Sequence, residues 1–154
     1  MPLKISVQLL VRLPRELRAF ARLPWERGLA GIGVREGRLN IVVADDKELR
    51  RLNRRFRAED RPTDVLAFDY RDDPTGDLWG DVIVSWERAV EQARERSLSP
   101  LEELARLGVH GCLHLLGHDH RTRSEAQRMG ALQERVVRSL LRGGRKGQPR
   151  AVVQ

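Results

Sequence analysis

Apolar positions along the chain change from strand-like spacing in the first half to helical spacing in the second half. Alternating or short continuous apolar runs are typical of strands, and apolar residues three or four positions apart are typical of helices. Strands are predicted at residues 4–11, 39–43, 63–70 and 81–86. Helices are predicted at residues 14–27, 46–57, 87–96, 100–116 and 124–141. Because interspersed strands and helices come first and mostly helices follow, we expect an α+β fold.

Capping residues mark the ends of two of these helices. Asp45 with Glu48, and Ser99 with Glu102, have the spacing of a capping box at a helix start. Gly117 follows the helix predicted at 100–116 and suits the left-handed position beyond a helix end. We expect one domain at residues 1–142, and a flexible basic tail at residues 143–154, which have no apolar period.

The composition is that of a charged globular protein with an excess of arginine. The 154 residues are 33% charged, the net charge is +7, and 26 of the 29 basic residues are arginines. Arginine binds phosphate through a bidentate fork, so a polyanionic partner is favoured, although a GC-rich coding sequence produces the same bias. Aromatic residues make up only 5%, which argues against base stacking as the main mode of nucleic acid binding.

The small number of cysteines and of long apolar segments indicates the compartment of the protein. Cys112 is the single cysteine, which favours a reducing compartment. No apolar run reaches the roughly 18 residues of a membrane span, and the first 14 residues are too polar for a signal peptide. We therefore expect a cytoplasmic protein without a membrane partner.

All four histidines lie in the stretch "VHGCLHLLGHDH", residues 109–120. His110 and His114 are four positions apart and share one helix face, and a turn at Gly117 returns His120 towards that face. Three imidazoles suit Zn²⁺ and leave its fourth position open, which is typical of catalytic zinc. Bound to such an ion, a water molecule has a pKa near 7 and becomes a nucleophile.

The alternative is a histidine-rich helix end that faces solvent and complements the helix dipole. That alternative explains individual histidines but not the spacing H-x-x-x-H-x-x-G-x-x-H. His118 is interpreted as exposed or outside the ligand set, and Asp119 as a residue that orients a ligand imidazole.

Two glycines in the histidine helix carry further information. Gly108 and Gly111 each cost roughly 1 kcal/mol relative to alanine, which indicates close packing or close approach of a substrate. Gly111 also stands where a zinc peptidase of the H-E-x-x-H type has its general base. Cys112 points away from the histidines and is interpreted as a small buried apolar residue.

A second unusual stretch is "LNRRFRAEDRPTDVLAF", residues 52–68. Arg57 ends a predicted helix and can clamp a phosphate, although from spacing alone a surface arginine is the simpler interpretation. Thr63 and Asp64 either anchor the following loop or contact a substrate, and Ser85 is a candidate for lining a cleft.

These residues resemble one known family. "HGCLHLLGHDH", "LNRRFRAEDRPTDVLAF" and "GDVIVS" (residues 80–85) are similar to the YbeY-type rRNA maturation factors, which are bacterial single-strand endoribonucleases. The resemblance runs from about residue 44 to about residue 131. It implies a mixed four-stranded sheet flanked by helices, with a cleft over one zinc ion held by His110, His114 and His120. It also implies a functional Arg57.

The resemblance further implies a role in 16S rRNA 3′-end maturation and ribosome quality control. We therefore expect a zinc-dependent endoribonuclease in which Arg57 and His114 are catalytic and Arg57, Thr63, Asp64 and Ser85 bind substrate. Expected partners are single-stranded RNA, 16S rRNA, the small ribosomal subunit and assembly proteins, and not DNA. The nucleophile is either water or the ribose 2′-OH. A ribosome-assembly RNA-binding factor with a structural zinc is the alternative, and a metal-dependent peptidase is the least favoured.

Overall fold

The computed structural model describes residues 2–57, 63–71 and 78–144. The strands are β1 (Lys4–Leu9), β2 (Gly37–Ala44), β3 (Val65–Asp69) and β4 (Leu78–Ser85). The helices are a 3₁₀ helix (Arg15–Arg22), α1 (Trp25–Ala30), α2 (Asp46–Arg57), α3 (Trp86–Arg96), α4 (Pro100–Leu115) and α5 (Arg123–Gly144). The predicted α+β class is confirmed.

The strands form one mixed sheet in the order β1-β2-β4-β3. β1 and β4 are both parallel to β2, whereas β3 is antiparallel to β4. The sheet is therefore the mixed four-stranded sheet that was expected, with β3 at one edge.

The two faces of the sheet pack against different helices. Ile41 and Val82 are completely buried on the face that carries α4 and the main core. On the opposite face, Leu49 of α2 packs with Leu66 and Ile83 in a smaller cluster. Alternation along the strands separates these two sets, since successive side chains of a strand point to opposite faces.

The helix predicted at residues 14–27 is divided in the structure. The 3₁₀ helix ends before Leu23, which has the extended angles φ −65° and ψ 145°. The cause is Pro24, because a proline disfavours helical angles at the residue before it. The break lets Trp25 begin α1 and meet Phe20 edge-to-face, with ring centroids 5.5 Å apart.

Both predicted capping boxes supply a cap. The Glu48 backbone N–H donates to Asp45 Oδ1 at 2.9 Å, and the Glu102 N–H donates to Ser99 Oγ at 3.5 Å. At the other end of the chain, α5 continues to Gly144, two residues into the predicted tail. Residues 145–154 lie outside the described residues, so the flexible tail stays a prediction. In the described ranges, every helix is too short or too polar to cross a membrane.

Candidate metal centre

Two of the candidate ligands lie side by side on α4. His110 is half-buried, His114 is exposed, and their Nε2 atoms are 3.0 Å apart. The edge of a tetrahedron with zinc–nitrogen bonds of 2.0–2.1 Å is about 3.3–3.4 Å. Two ligand atoms of α4 are therefore close to the separation that a shared zinc ion requires.

The turn after α4 supplies the third imidazole. Gly117 has φ +93°, its N–H donates to the His114 carbonyl, and the His118 N–H donates to the Leu113 carbonyl, both at 3.0 Å. These two bonds form a Schellman motif, which reverses the chain direction at a helix end. His120 then returns so that one nitrogen from each of His110, His114 and His120 lies within 4.8 Å of the others. The three predicted ligands can hold a metal ion.

Gln133 of α5 orients the first candidate ligand, although no sequence pattern points to it. Its Oε1 lies 2.9 Å from His110 Nδ1. When Nε2 faces the metal, Nδ1 carries the proton and donates it to this amide oxygen, which fixes the tautomer and the ring orientation. No local pattern marks Gln133, since it lies 23 residues along the chain from His110.

An ion-pair cluster holds α5 against α4 beside this contact. The Arg106 guanidinium, which is 12% exposed, donates to Glu134 at 2.7 Å, to Glu102 at 2.9 Å and also to the buried Glu103. Hydrogen bonds from Arg106 lower the pKa of Glu134, and those carboxylates raise the pKa of Arg106. Because Glu134 is next to Gln133, the cluster fixes the part of α5 that reaches His110.

The turn residues between the ligands have structural partners. Asp119 Oδ1 accepts from the His120 backbone N–H at 2.7 Å, and Oδ2 pairs with Arg121 Nε at 2.9 Å. Asp119 thus supports the backbone of a ligand, where contact with an imidazole was expected. His118 is half-buried and lies outside the group of three nitrogens.

The two helix glycines allow α4 to pack closely. A Cβ at Gly108 would lie 2.8 Å from Trp25 Cη2, and one at Gly111 would lie 2.5 Å from Val82 Cγ1. Close packing therefore explains both glycines. Gly111 also faces the sheet, so this position does not present a side chain to the histidines. Cys112 is buried as predicted, and burial raises the pKa of its thiol to about 12.

The candidate substrate residues have different surroundings. Asp64 shares a cleft of about 240 Å³ with His110 and Gln133, and its Oδ2 accepts from Gln92 at 3.0 Å. The Thr63 hydroxyl donates to the Val65 carbonyl at 3.3 Å, so it anchors the start of β3.

Ser85 and Arg57 complete the set. Ser85 is completely buried: its hydroxyl donates to Asp46 at 2.5 Å and accepts from the Arg88 N–H at the start of α3. Ser85 therefore caps α3, as a serine that ends a strand before a helix is well placed to do, and its contact with a substrate stays a prediction. Arg57 ends α2 as predicted, and its side chain lies outside the described part of the chain.

The fold and the histidine centre define a class: an α+β domain with an open three-histidine site at the end of a helix. The family model "Endoribonuclease YbeY" matches residues 24–141. The chain therefore belongs to the endoribonuclease YbeY family.

Individual relatives agree with this assignment. The chain is 43% identical over 115 residues to an "Endoribonuclease YbeY" of Carboxydothermus hydrogenoformans, covering 75% of this chain and 76% of the relative. It is 42% identical over 127 residues to one of Myxococcus xanthus, covering 78% of this chain but only 43% of that longer protein. A solution structure of a Thermotoga maritima protein has a TM-score of 0.65, covers 95% of this chain and 98% of its own, and at 24% identity supports the fold alone.

Proposed function

We propose that this protein is a zinc-dependent endoribonuclease that cleaves single-stranded RNA. The observation that supports it most is the convergence of three imidazole nitrogens within 4.8 Å at a helix end, in a member of a family named for endoribonuclease activity. Three protein ligands leave one coordination position for water or substrate, as in catalytic zinc sites.

Different residues of the chain would bind the metal, position a proton and bind the phosphate at such a site. A zinc ion held by His110, His114 and His120 would polarise a phosphodiester oxygen and acidify a water molecule. Gln133 Oε1, 2.9 Å from His110 Nδ1, would accept the Nδ1 proton and leave Nε2 for the metal. Arg57, at the end of α2, is proposed to clamp the phosphate and to offset the charge that develops on it.

We propose the 3′ end of 16S rRNA as the physiological substrate, with roles in ribosome quality control. The proposed partners are therefore the small ribosomal subunit and its assembly proteins, in the cytoplasm. The net charge of +7 supports an RNA partner, because arginine side chains displace counterions from phosphates and give salt-dependent affinity.

The test compares two histidines of the same stretch. We expect His114→Ala to abolish cleavage of a single-stranded RNA and to lower the zinc content of the purified protein, since a ligand is lost. His118→Ala is the matched control and should keep both properties, because His118 lies outside the ligand group. Cleavage by zinc-free wild-type protein at the normal rate would refute the proposed mechanism.

The same experiment separates the enzyme from an RNA-binding factor with a structural zinc. RNA binding and folding that persist with a chelator, without any metal-dependent cut in its absence, would favour the binding factor. The structure argues against peptidase activity at position 111. A side chain there would point at Val82 and not towards the histidines, so it could not act as their general base.

A further inference from the structure

The sheet face opposite α4 carries a group of aromatic side chains that the metal centre does not use. These are Phe56, Phe68, Tyr70 and Trp79, which we call the aromatic face. Phe56 is 58% exposed and Tyr70 is 64% exposed, and Trp79 is half-buried. The chain has seven aromatic residues in total, so more than half of them lie on this surface.

The rings are held in place by neighbours. Phe56 of α2 meets Phe68 of β3 edge-to-face, with ring centroids 5.6 Å apart. Tyr70 pairs with β4 through its N–H, which donates to the Trp79 carbonyl at 2.9 Å. The rings of Tyr70 and Trp79 are therefore cross-strand neighbours on one face.

A hydrogen-bonded row across the sheet positions the tyrosine. Ser6 Oγ donates to Asn40 Oδ1 at 2.6 Å, Asn40 Nδ2 donates to Asp81 Oδ1 at 2.8 Å, and the Tyr70 hydroxyl donates to Asp81 Oδ2. Each oxygen of Asp81 thus accepts a hydrogen bond, so neither oxygen faces an anionic ligand without a hydrogen-bond donor beside it. Burial and the Asp81 contact raise the pKa of Tyr70 to about 12, which keeps the phenol protonated.

Cations lie beside two of these rings: Arg38 is the cross-strand partner of Trp79, and Arg55 contacts Phe56. Lys4 and Arg38 are exposed on neighbouring strands, on the same face as Asn40, and they contribute to a cleft of about 320 Å³. The Arg55 guanidinium lies 5.2 Å from the centre of the Phe56 ring. Aromatic rings on an open sheet face, bordered by cations, are the combination that stacks the bases and attracts the phosphates of single strands.

We propose that the aromatic face is a second RNA-binding surface, which stacks unpaired bases of the same strand that enters the metal centre. Continuity between the two surfaces is provided by β3, the edge strand. Arg71, next to Tyr70, donates to the carbonyl of Leu115 at 3.0 Å, and Leu115 follows His114. An RNA strand that leaves the three histidines therefore reaches the aromatic face by passing around β3.

This inference rests on the proposed endoribonuclease function but is tested by binding and not by cleavage. The probe is a fluorescent oligouridylate of roughly 16 nucleotides, a length within the usual site size of single-strand binders. Its affinity is measured by anisotropy in a His114→Ala background, so that the probe stays intact. We expect Tyr70→Ala and Trp79→Ala each to weaken binding by about 5- to 150-fold, because one stacking ring is lost.

Conservative variants separate stacking from a structural role. Trp79→Phe keeps a ring and should bind close to the parent. Tyr70→Phe keeps the ring but releases one oxygen of Asp81, so its affinity should lie between those of the parent and Tyr70→Ala, whereas a role through the Asp81 hydrogen bond alone would make Tyr70→Phe as weak as Tyr70→Ala. Leu98→Ala removes an exposed apolar side chain elsewhere (37% exposed) and should not alter binding. Unchanged affinity in both alanine variants, or equal losses in the alanine and phenylalanine variants, would overturn the proposal.

Salt dependence gives a second readout. Arg38→Ala should reduce the slope of log affinity against log salt by about 0.7, the value for one phosphate contact on a single strand. Trp79→Ala should leave the slope unchanged, because it removes no cation. If the wild-type protein cuts no RNA with any metal while these binding results hold, the proposed endoribonuclease function is refuted. The aromatic face is then still supported as an RNA-binding surface.

Discussion

Gly111 offers a direct test of how closely the ligand helix must approach the sheet. In Gly111→Ala the new Cβ would lie 2.5 Å from Val82 Cγ1 and 3.1 Å from Val65 Cγ2. Val82 is completely buried and β-branched, so its methyl group cannot move aside by a simple rotation. Either α4 shifts away from the sheet or the valine adopts a strained rotamer.

The magnitude follows from two opposing effects. Overpacking a well-packed core costs about 1–3 kcal/mol, while replacing glycine by alanine inside a helix returns roughly 1 kcal/mol. The free energy of unfolding should therefore fall by about 0–2 kcal/mol in Gly111→Ala. Gly130 in α5 is the matched control, because a Cβ there meets nothing within 4 Å. Gly130→Ala keeps only the helix gain and should stabilise the protein by up to about 1 kcal/mol.

The assay is urea unfolding of both variants and the wild type, at one zinc concentration. The difference between the two variants isolates the steric cost and should be about 1–3 kcal/mol, or about 2–12 °C in Tm for a domain of this size. A Gly111→Ala protein as stable as Gly130→Ala would refute the close-packing argument. A shift of α4 also displaces His110, so zinc affinity should fall in Gly111→Ala and not in Gly130→Ala.

Three further predictions concern the surroundings of the histidines. Gln133→Ala should lower zinc affinity by about 10- to 100-fold, measured by competition with a chelating dye, whereas Gln127→Ala on the exposed side of α5 should have no effect. Arg106 holds the pKa of Glu134 below its ordinary value of 4.5, so this stabilisation is complete above that pH and is lost as the pH falls through the lowered pKa. Urea titrations should accordingly show Glu134→Gln less stable than wild type at pH 7, with the difference disappearing in acid; a difference that grows in acid would contradict the assignment. Cys112 should not react with a thiol reagent at pH 8 until the protein is unfolded, because burial raises its pKa to about 12; rapid labelling of the folded protein would contradict this.

Local sequence signals predicted most of the elements and the three histidines that lie together in the structure. The capping boxes at Asp45 and Ser99 and the glycine at 117 each act through contacts within a few residues, so spacing alone reveals them. The division of the first predicted helix also has a local cause, since Pro24 restricts the residue before it. The apolar spacing of residues 14–27 did not reveal this break, because Phe20 and Trp25, on either side of it, are buried in the same core.

The surroundings that residue spacing did not reveal depend on contacts between distant segments. The hydroxyl of Ser85, a candidate for lining a cleft, donates to Asp46, 39 residues away. Gln133 reaches His110 because α5 is held on α4 by core packing and by the Arg106 cluster, and no spacing rule connects these positions. The low aromatic content was an argument against base stacking, and it counts residues without their positions. Phe20 and Trp25 are buried in the core, whereas Phe56 and Tyr70 are exposed, so the proposed stacking surface depends on where the sheet places a few rings and not on their total number.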